Sequence, residues 1–404
     1  MHFCPPDDQI KTNDCSTVLR RFAGPEAHEF SALFQPDGRA TDVARQAEAV
    51  YGATLDLLAA EGASLETLAC ETVYLRNIRE DLPAVLDARS RVLARAGLQP
   101  CRPPTTVIEQ PPLNQGAHLE LSVFAVVPRR RQAWSACDVS DTPRCGCGAC
   151  SHACARLVRL ADQTHLYAGN IYGSGGNAFD EAYSMFCSAE NLLKKGGMSF
   201  REVVRTWIYL RDMDRDYTDL NLARREFFRE RGIDLRPAST GVGGGPFPDQ
   251  HDFAISLYAV KSPRPVEVGL MSARTLGEAW LYGSDFSRGL RVVEANKIAL
   301  YVSGTASVDE AGHTIHVGDL AGQAGRMLTN ISVLLEAQGA SFRDIVSAVT
   351  YLKRRSDAPV LRAIFRDQGF DGFPSVLVEA AICRPDLLCE TEAIAALPLP
   401  PPRT

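Results

Sequence analysis

Three stretches of this chain repeat one pattern: EGASLETLACETVYL at 61–75, GGMSFREVVRTWIYL at 196–210 and QGASFRDIVSAVTYL at 338–352. The pairs that close them, Tyr74-Leu75, Tyr209-Leu210 and Tyr351-Leu352, lie far further apart than the roughly 20–50 residues of a solenoid repeat. Whole domains recur at this interval, so the chain is expected to hold three copies of one folding unit.

Each copy has the same order of elements. A helix-period stretch, such as AFDEAYSMFCSAENLLKKGG in the second copy, ends at Gly62, Gly197 or Gly339, where glycine takes a left-handed C-cap without steric penalty. In that stretch Phe179, Tyr183, Phe186 and Leu193 recur at three- and four-residue steps and define a buried face. A serine follows (Ser64, Ser199, Ser341), and Ser199 with Glu202 has capping-box spacing. A β-branched and aromatic run ending in Tyr-Leu reads as a strand. A second helix (80–95, 215–231, 356–368), a Pro-containing loop and two closing strands complete the copy. Copies two and three open with a strand and hairpin, HLYAGNIYG and IALYVSGTASVDEAGHTIHVGD, the latter turning at Ala311-Gly312. Copy one has STVLRRFAG and EFSALF as candidate strands. The unit is β-β-α-β-α-β-β, an α+β fold with helices on one sheet face. The expected boundaries are 1–127, 156–263 and 291–404 for the units, with a Cys-rich insertion at 128–155 and a linker at 264–290.

Composition narrows the partners. The 404 residues are 45% hydrophobic and 23% charged, as in globular domains. A net charge of -6 and no basic stripe beyond Arg129-Arg130-Arg131 argue against nucleic acid. No apolar run spans a bilayer, and MHFCPPDDQI lacks the basic-then-apolar order of a signal peptide. A cytoplasmic protein acting on small molecules is expected.

The wording of copy three resembles the YjgF-like (Rid) family, through LYVSGTAS, the helix with Asn330-Ile331, GASFRDIV, TYL and CETEAIAAL in sequence. The resemblance implies pockets between neighbouring units and, for three tandem copies, a pseudo-trimer that is a monomer. Rid deaminases carry an arginine in a Pro-x-Arg-Ser segment that binds the substrate carboxylate. The matching positions here are Thr105, Ser239 and Ser375, so an imine deaminase lacks its anchor in all three copies. The family's glutamate stands at Glu390 in copy three and Glu120 in copy one, and is replaced by Ala254 in copy two.

A carboxylate directly after the apolar run Leu387-Leu388-Cys389 is either a strand-end group facing solvent or an arginine, or a buried acid with a raised pKa. Glu392 shares its face of the strand. The stretch CRPDLLCETE, with DFSRGLRV (285–292), SGTAS (303–307), GHTIHVGD (312–319) and RPASTGVGGG (236–245), is similar to the chorismatases, a branch of larger YjgF-like enzymes. The likeness covers most of residues 20–400 outside the Cys-rich insertion. It implies cleavage of chorismate, a dianionic enol ether, with Glu390 as the acid that protonates the enolpyruvyl methylene carbon. In that family a cysteine seven residues before the glutamate goes with 3-hydroxybenzoate as product, and Cys383 stands seven before Glu390. Ala306 is a second candidate for shaping the product. A chorismatase giving 4-hydroxybenzoate or a dihydroxycyclohexadiene carboxylate, a Rid-type deaminase, and a non-catalytic ligand-binding protein are the alternatives.

Two substrate carboxylates call for guanidinium groups or converging N–H groups. Asn221 and Arg224 lie three apart on one helix face. Ser239-Thr240-Gly241 allows close backbone approach to an anion. Tyr209 and Tyr217 are candidates to line the ring, and Arg362 is the copy-three candidate cation. The site is expected to combine copies three and two. No cofactor is implied: GSGGN (173–177) and GVGGG (241–245) match neither nucleotide-binding fingerprint. Of twelve cysteines, Cys137, Cys145, Cys147, Cys150 and Cys154 fall in one short segment. Cys145, Cys147, Cys150 and Cys154, with His152, are candidate zinc ligands, although their spacing is more compressed than a paired Cys-x2-Cys knuckle. The other reading of that segment is a linker with reactive thiols.

Overall fold

The structure, a computed structural model, describes residues 8–11, 14–98, 103–130, 132, 134–140, 154–273, 276–282 and 285–401. It contains three mixed sheets, each covered on one face by two helices. The first unit runs β1 (Asp8–Lys11), β2 (Cys15–Ala23), β3 (Ala27–Pro36), α1 (Val43–Ala60), β4 (Leu68–Leu75), α2 (Ile78–Arg95), β5 (Thr105–Glu109) and β6 (Leu119–Pro128). The second runs β7 (Trp134–Ser140), β8 (Cys154–Leu160), β9 (Gln163–Ile171), α3 (Ala178–Lys195), β10 (Val203–Leu210), α4 (Met213–Arg231), β11 (Ala238–Gly243), β12 (Gly245–Pro246) and β13 (Phe253–Lys261). The third runs β14 (Val268–Leu270), β15 (Gly289–Val293), β16 (Ile298–Ala306), α5 (Leu320–Glu336), β17 (Ile345–Leu352), α6 (Ala358–Asp367), β18 (Ser375–Glu379) and β19 (Cys389–Leu397).

The strand orders are β1-β2-β3-β6-β4-β5-β12, β11-β10-β13-β9-β8-β7 and β14-β15-β16-β19-β17-β18. In each unit the last long strand is central: β19, for example, pairs antiparallel with both β16 and β17. The parallel pair closing each unit, such as β17 with β18, is the two strands that flank the second helix, as a crossover connection requires. Each sheet starts one strand earlier than the repeat predicts. Residues 134–140 and Cys154, assigned to the insertion, belong to β7 and β8, and 268–270, assigned to the second linker, is β14. The reason is pairing: β7 extends the second sheet along β8, and β14 extends the third along β15.

Local signals explain the helix ends. Asp212 caps α4 through Arg215 N–H, and Gly232 (φ 59°) ends it in the left-handed region. The Ser199–Glu202 capping box forms as the spacing predicts, and Ser341–Asp344 forms its counterpart.

Helices and sheet enclose one apolar core per unit. The opposite sheet faces meet each other, packing residues from all three units, among them Val126, Tyr258 and Tyr301, and Tyr74, Tyr209 and Tyr351. A buried polar cluster ties this junction together. Lys297 Nζ lies 2.5 Å from Glu29 Oε2 and 2.9 Å from Glu294 Oε2, and the Tyr258 hydroxyl donates to Glu294 at 2.9 Å. Such a cluster is tolerated because its members satisfy one another. Between the sheets runs an axial cavity of about 150 Å³, lined by Tyr74, Tyr209, Trp207, Phe124 and Glu392 among others. Among the described residues no helix is long and apolar enough to cross a membrane. The zinc candidates Cys145, Cys147 and Cys150, with His152, lie outside the described residues.

Candidate active site

A second cavity, about 390 Å³, opens where the second and third units meet. Its walls are Tyr217, Asn221, Arg224 and Arg225 on α4, Ser239 and Gly241 on β11, Phe286 and Arg288 ahead of β15, Gly304 and Ala306 on β16, and Cys383, Arg384, Leu387 and Glu390. Tyr217, Asn221 and Arg224 fall at four- and three-residue steps, so one turn-to-turn face of α4 supplies all of them. The two units are joined here by Ser239 N–H to Ser303 Oγ (2.8 Å), Gly304 N–H to Thr240 Oγ1 (3.0 Å) and Gly243 N–H to the Ala381 carbonyl (2.8 Å).

Glu390 stands near the start of β19, opposite Ala306 and Tyr351 on its neighbours. It is only 5% exposed. Burial, then the carboxylate of Glu392, pushes its carboxyl up to about 8, against a smaller opposing pull from Arg288, Arg205 and Arg384. Near neutral pH the group is therefore mostly an undissociated acid. Cys383 Sγ lies 4.0 Å from Glu390 Oε2, and burial with the nearby Glu390 raises its thiol to about 12. At neutral pH that thiol is therefore undissociated. The turn carrying Cys383 is held by Leu388 N–H to Gln323 Oε1 (2.7 Å) and Gln323 Nε2 to the Asp386 carbonyl (2.8 Å).

Opposite the acid lies positive charge. Arg224 is buried, its Nη2 donating to Asn221 Oδ1 at 2.6 Å, while its Nε has no hydrogen-bond partner. Burial, with the like charges of Arg225 and Arg236, lowers its pKa against an opposing pull from Tyr217 and Asp285. Arg288 donates Nε to the Gly277 carbonyl at 2.9 Å, and burial brings it down to about 10. Both guanidinium groups lie against the Phe286 ring. A buried guanidinium with an unmet donor such as Arg224 Nε is costly, and an anionic ligand would offset that cost. The pocket lining thus combines one undissociated carboxyl with four arginines, of which Arg225 is paired with Asp285 Oδ2 at 2.9 Å.

Of the residues picked from the sequence, the structure brings Glu390, Cys383, Tyr217, Asn221, Arg224, Ser239, Gly241 and Ala306 to this cavity. Three go elsewhere. Tyr209 lines the axial cavity instead, because its strand position points it into the junction of the sheets. Thr240 sits behind the pocket wall, its hydroxyl accepting from Arg205 Nη2 and Gly304 N–H. Arg362 faces the first unit and donates to Asn114 Oδ1 at 2.7 Å. Arg288, Arg384 and Phe286 were not picked, although two of them stand in DFSRGLRV and one in CRPDLLCETE.

The Endoribonuclease L-PSP family model matches residues 285–397, which is most of the third unit. A 3-hydroxybenzoate synthase of Streptomyces hygroscopicus is 31% identical over 262 residues, covering 58% of this chain and 74% of the relative. The chain belongs to the chorismatase family. A chorismatase of Streptomyces rapamycinicus is 27% identical over 228 residues, covering 50% of this chain and 66% of the relative. A chorismatase crystal structure superposes with a TM-score of 0.60 at 18% identity, covering 82% of this chain and 93% of that one, so the chorismatase fold extends over most of the molecule.

Proposed function

We propose that this chain cleaves chorismate to 3-hydroxybenzoate and pyruvate, with Glu390 delivering the proton that starts the reaction. The observation that carries this reading is a buried carboxyl raised to about 8 in a cavity faced by arginines. Protonation turns the enolpyruvyl methylene into a methyl group and leaves an oxocarbenium centre. Breaking the bond from the ether oxygen to the ring releases pyruvate, whose carbonyl oxygen is the former ether oxygen. The electron-poor ring carbon takes the oxygen of the neighbouring hydroxyl, and that hydroxyl's proton returns to Glu390. Opening at the hydroxyl's original carbon, with loss of a ring hydrogen as a proton and gain of one on oxygen, gives the phenol. No water is incorporated. Arg224, Arg225, Arg288 and Arg384 would hold the two carboxylates, and Cys383 beside Glu390 would favour the internal route over water or a 4-hydroxy product.

Product analysis after incubation with chorismate tests the reading. Pyruvate and 3-hydroxybenzoate in equal amounts are expected, with Cys383→Ala diverting part of the flux to another hydroxylated acid; unconsumed chorismate would overturn it. In the same reading the chain acts as a monomer, its three units making the contacts that separate subunits make in Rid proteins, and light scattering tests that.

A further inference from the structure

The repeat provides an internal control for the surroundings of Glu390. Its neighbour on the same strand face, Glu392, is 6% exposed and reaches across to the second unit. There Arg205 Nη2 donates to Glu392 Oε2 at 2.7 Å and Trp207 Nε1 donates to Oε1 at 2.6 Å. Arg205 is also buried, stacks over the Trp207 ring at 4.8 Å, and donates to Thr240 Oγ1 at 2.6 Å. Thr240 Oγ1 in turn accepts from Gly304 N–H. Gly304 backs directly onto the acid: a Cβ there would lie 2.0 Å from Glu390 Oε1.

At the other two junctions the same positions are uncharged. Strand register places Ser122 and Ser256 where the third unit has Glu392. The positions of Arg205 and Trp207 are Cys70 and Thr72 in the first unit, and Ser347 and Val349 in the third. Ser256 needs no more than the Thr106 hydroxyl at 2.7 Å. At these positions the other two junctions therefore close without an ion pair, and the junction that has one here is the one that holds the pocket.

We infer that Glu392, anchored by Arg205 and Trp207, is a positioning residue for Glu390, acting through their shared strand and through the Arg205–Thr240–Gly304 chain. This rests on the reading of Glu390 as the reacting acid. A fixed negative charge two residues away opposes ionisation of Glu390 and keeps its proton available. Arg288 on β15's approach, Arg384 in the turn before β19 and Arg205 on β10 act the other way, and the Cys383 thiol and the Tyr217 phenol, both pushed up by burial, face the acid as neutral groups. Removing the charge on Glu392 while leaving those cations in place shifts the balance towards the ionised, inactive form.

The test is a titration of the Glu390 carboxyl by infrared difference spectroscopy against Glu390→Gln, with chorismate turnover followed over the same pH range. Glu392→Gln is expected to lower the carboxyl midpoint by about one pH unit or more, and to move the alkaline fall in kcat/KM down with it. Glu392→Ser combined with Arg205→Ser, which places at these two positions the serines of the junction between the first and third units, is expected to fall between wild type and Glu392→Gln. A uniform loss of activity at every pH with an unmoved carboxyl midpoint would overturn the inference. If the wild type leaves chorismate untouched, the proposed function fails, while the titration still decides whether Glu392 governs Glu390. If the double variant does not fold, the single variant decides alone.

Discussion

Glu390 and Glu120 occupy the same position in two copies of one unit, yet their surroundings differ. Glu120 sits between the first and third units, fully buried, with Asn114 donating to Oε1 and Arg362 holding Asn114 from the other side. Burial raises its carboxyl to about 7. Its carboxyl is hydrogen-bonded by Asn114 and Gln35, whereas Glu390 borders a cavity of about 390 Å³ whose lining holds four arginines. A raised pKa and a nearby guanidinium are common to both; room for a ligand, and the number of arginines lining it, distinguish them. Burial of an acid by itself marks a position in the fold; the space around Glu390 is what makes it the candidate for the proposed reaction.

The largest expected effect separates the two carboxyls directly. Glu390→Gln should lower chorismate turnover by about 10²–10⁴-fold, while Glu120→Gln should leave it within about twofold; equal losses would break the comparison. Next, Gly304→Ala should cost far more turnover than stability, with turnover falling by about 10²-fold as the acid is pushed aside, because what its Cβ meets most closely is the end of the Glu390 side chain, with the Thr240 methyl at 3.1 Å. Unfolding before activity is lost would show that Gly304 serves the fold alone.

The smallest effect concerns stability and is confined to Glu120. Its folded value of about 7 lies above the ordinary 4.5, so the folded state holds a proton that the unfolded chain has released. The stability this contributes is present below about pH 4.5 and is lost as pH rises through about 7. Over that window the loss is of order 2–3 kcal/mol, and urea unfolding of wild type against Glu120→Gln should show the difference in slope. An identical pH dependence would mean that Glu120 is ionised in place.

The repeat made the units, their helices and the capping boxes legible, because those depend on local spacing. The face of α4 bearing Tyr217, Asn221 and Arg224 was legible for the same reason. Extra strands such as β7 and β14 were not, since each lies outside the repeated wording and is fixed by pairing with the next strand. Tyr209 misled because alternation along a strand names two faces without saying which one meets a cavity. Arg288 and Arg384 escaped notice because neither belongs to a helix face or a glycine-rich loop; they reach the pocket only through how the third unit folds back on the second. Of the two carboxylates in CETE, both prove buried, and only the partners across the junction tell them apart.

Fusion of the units has a consequence for the axis they share. In an assembly of identical subunits any residue facing the centre appears three times, and a carboxylate at the position of Glu392 would be crowded by two copies of itself. Here Ser122 and Ser256 stand in those places, so a single acidic group can be set against a single guanidinium. One covalent chain thereby escapes the rule that symmetry imposes on identical subunits: each junction is free to change on its own, and specialising one leaves the other two to hold the molecule together.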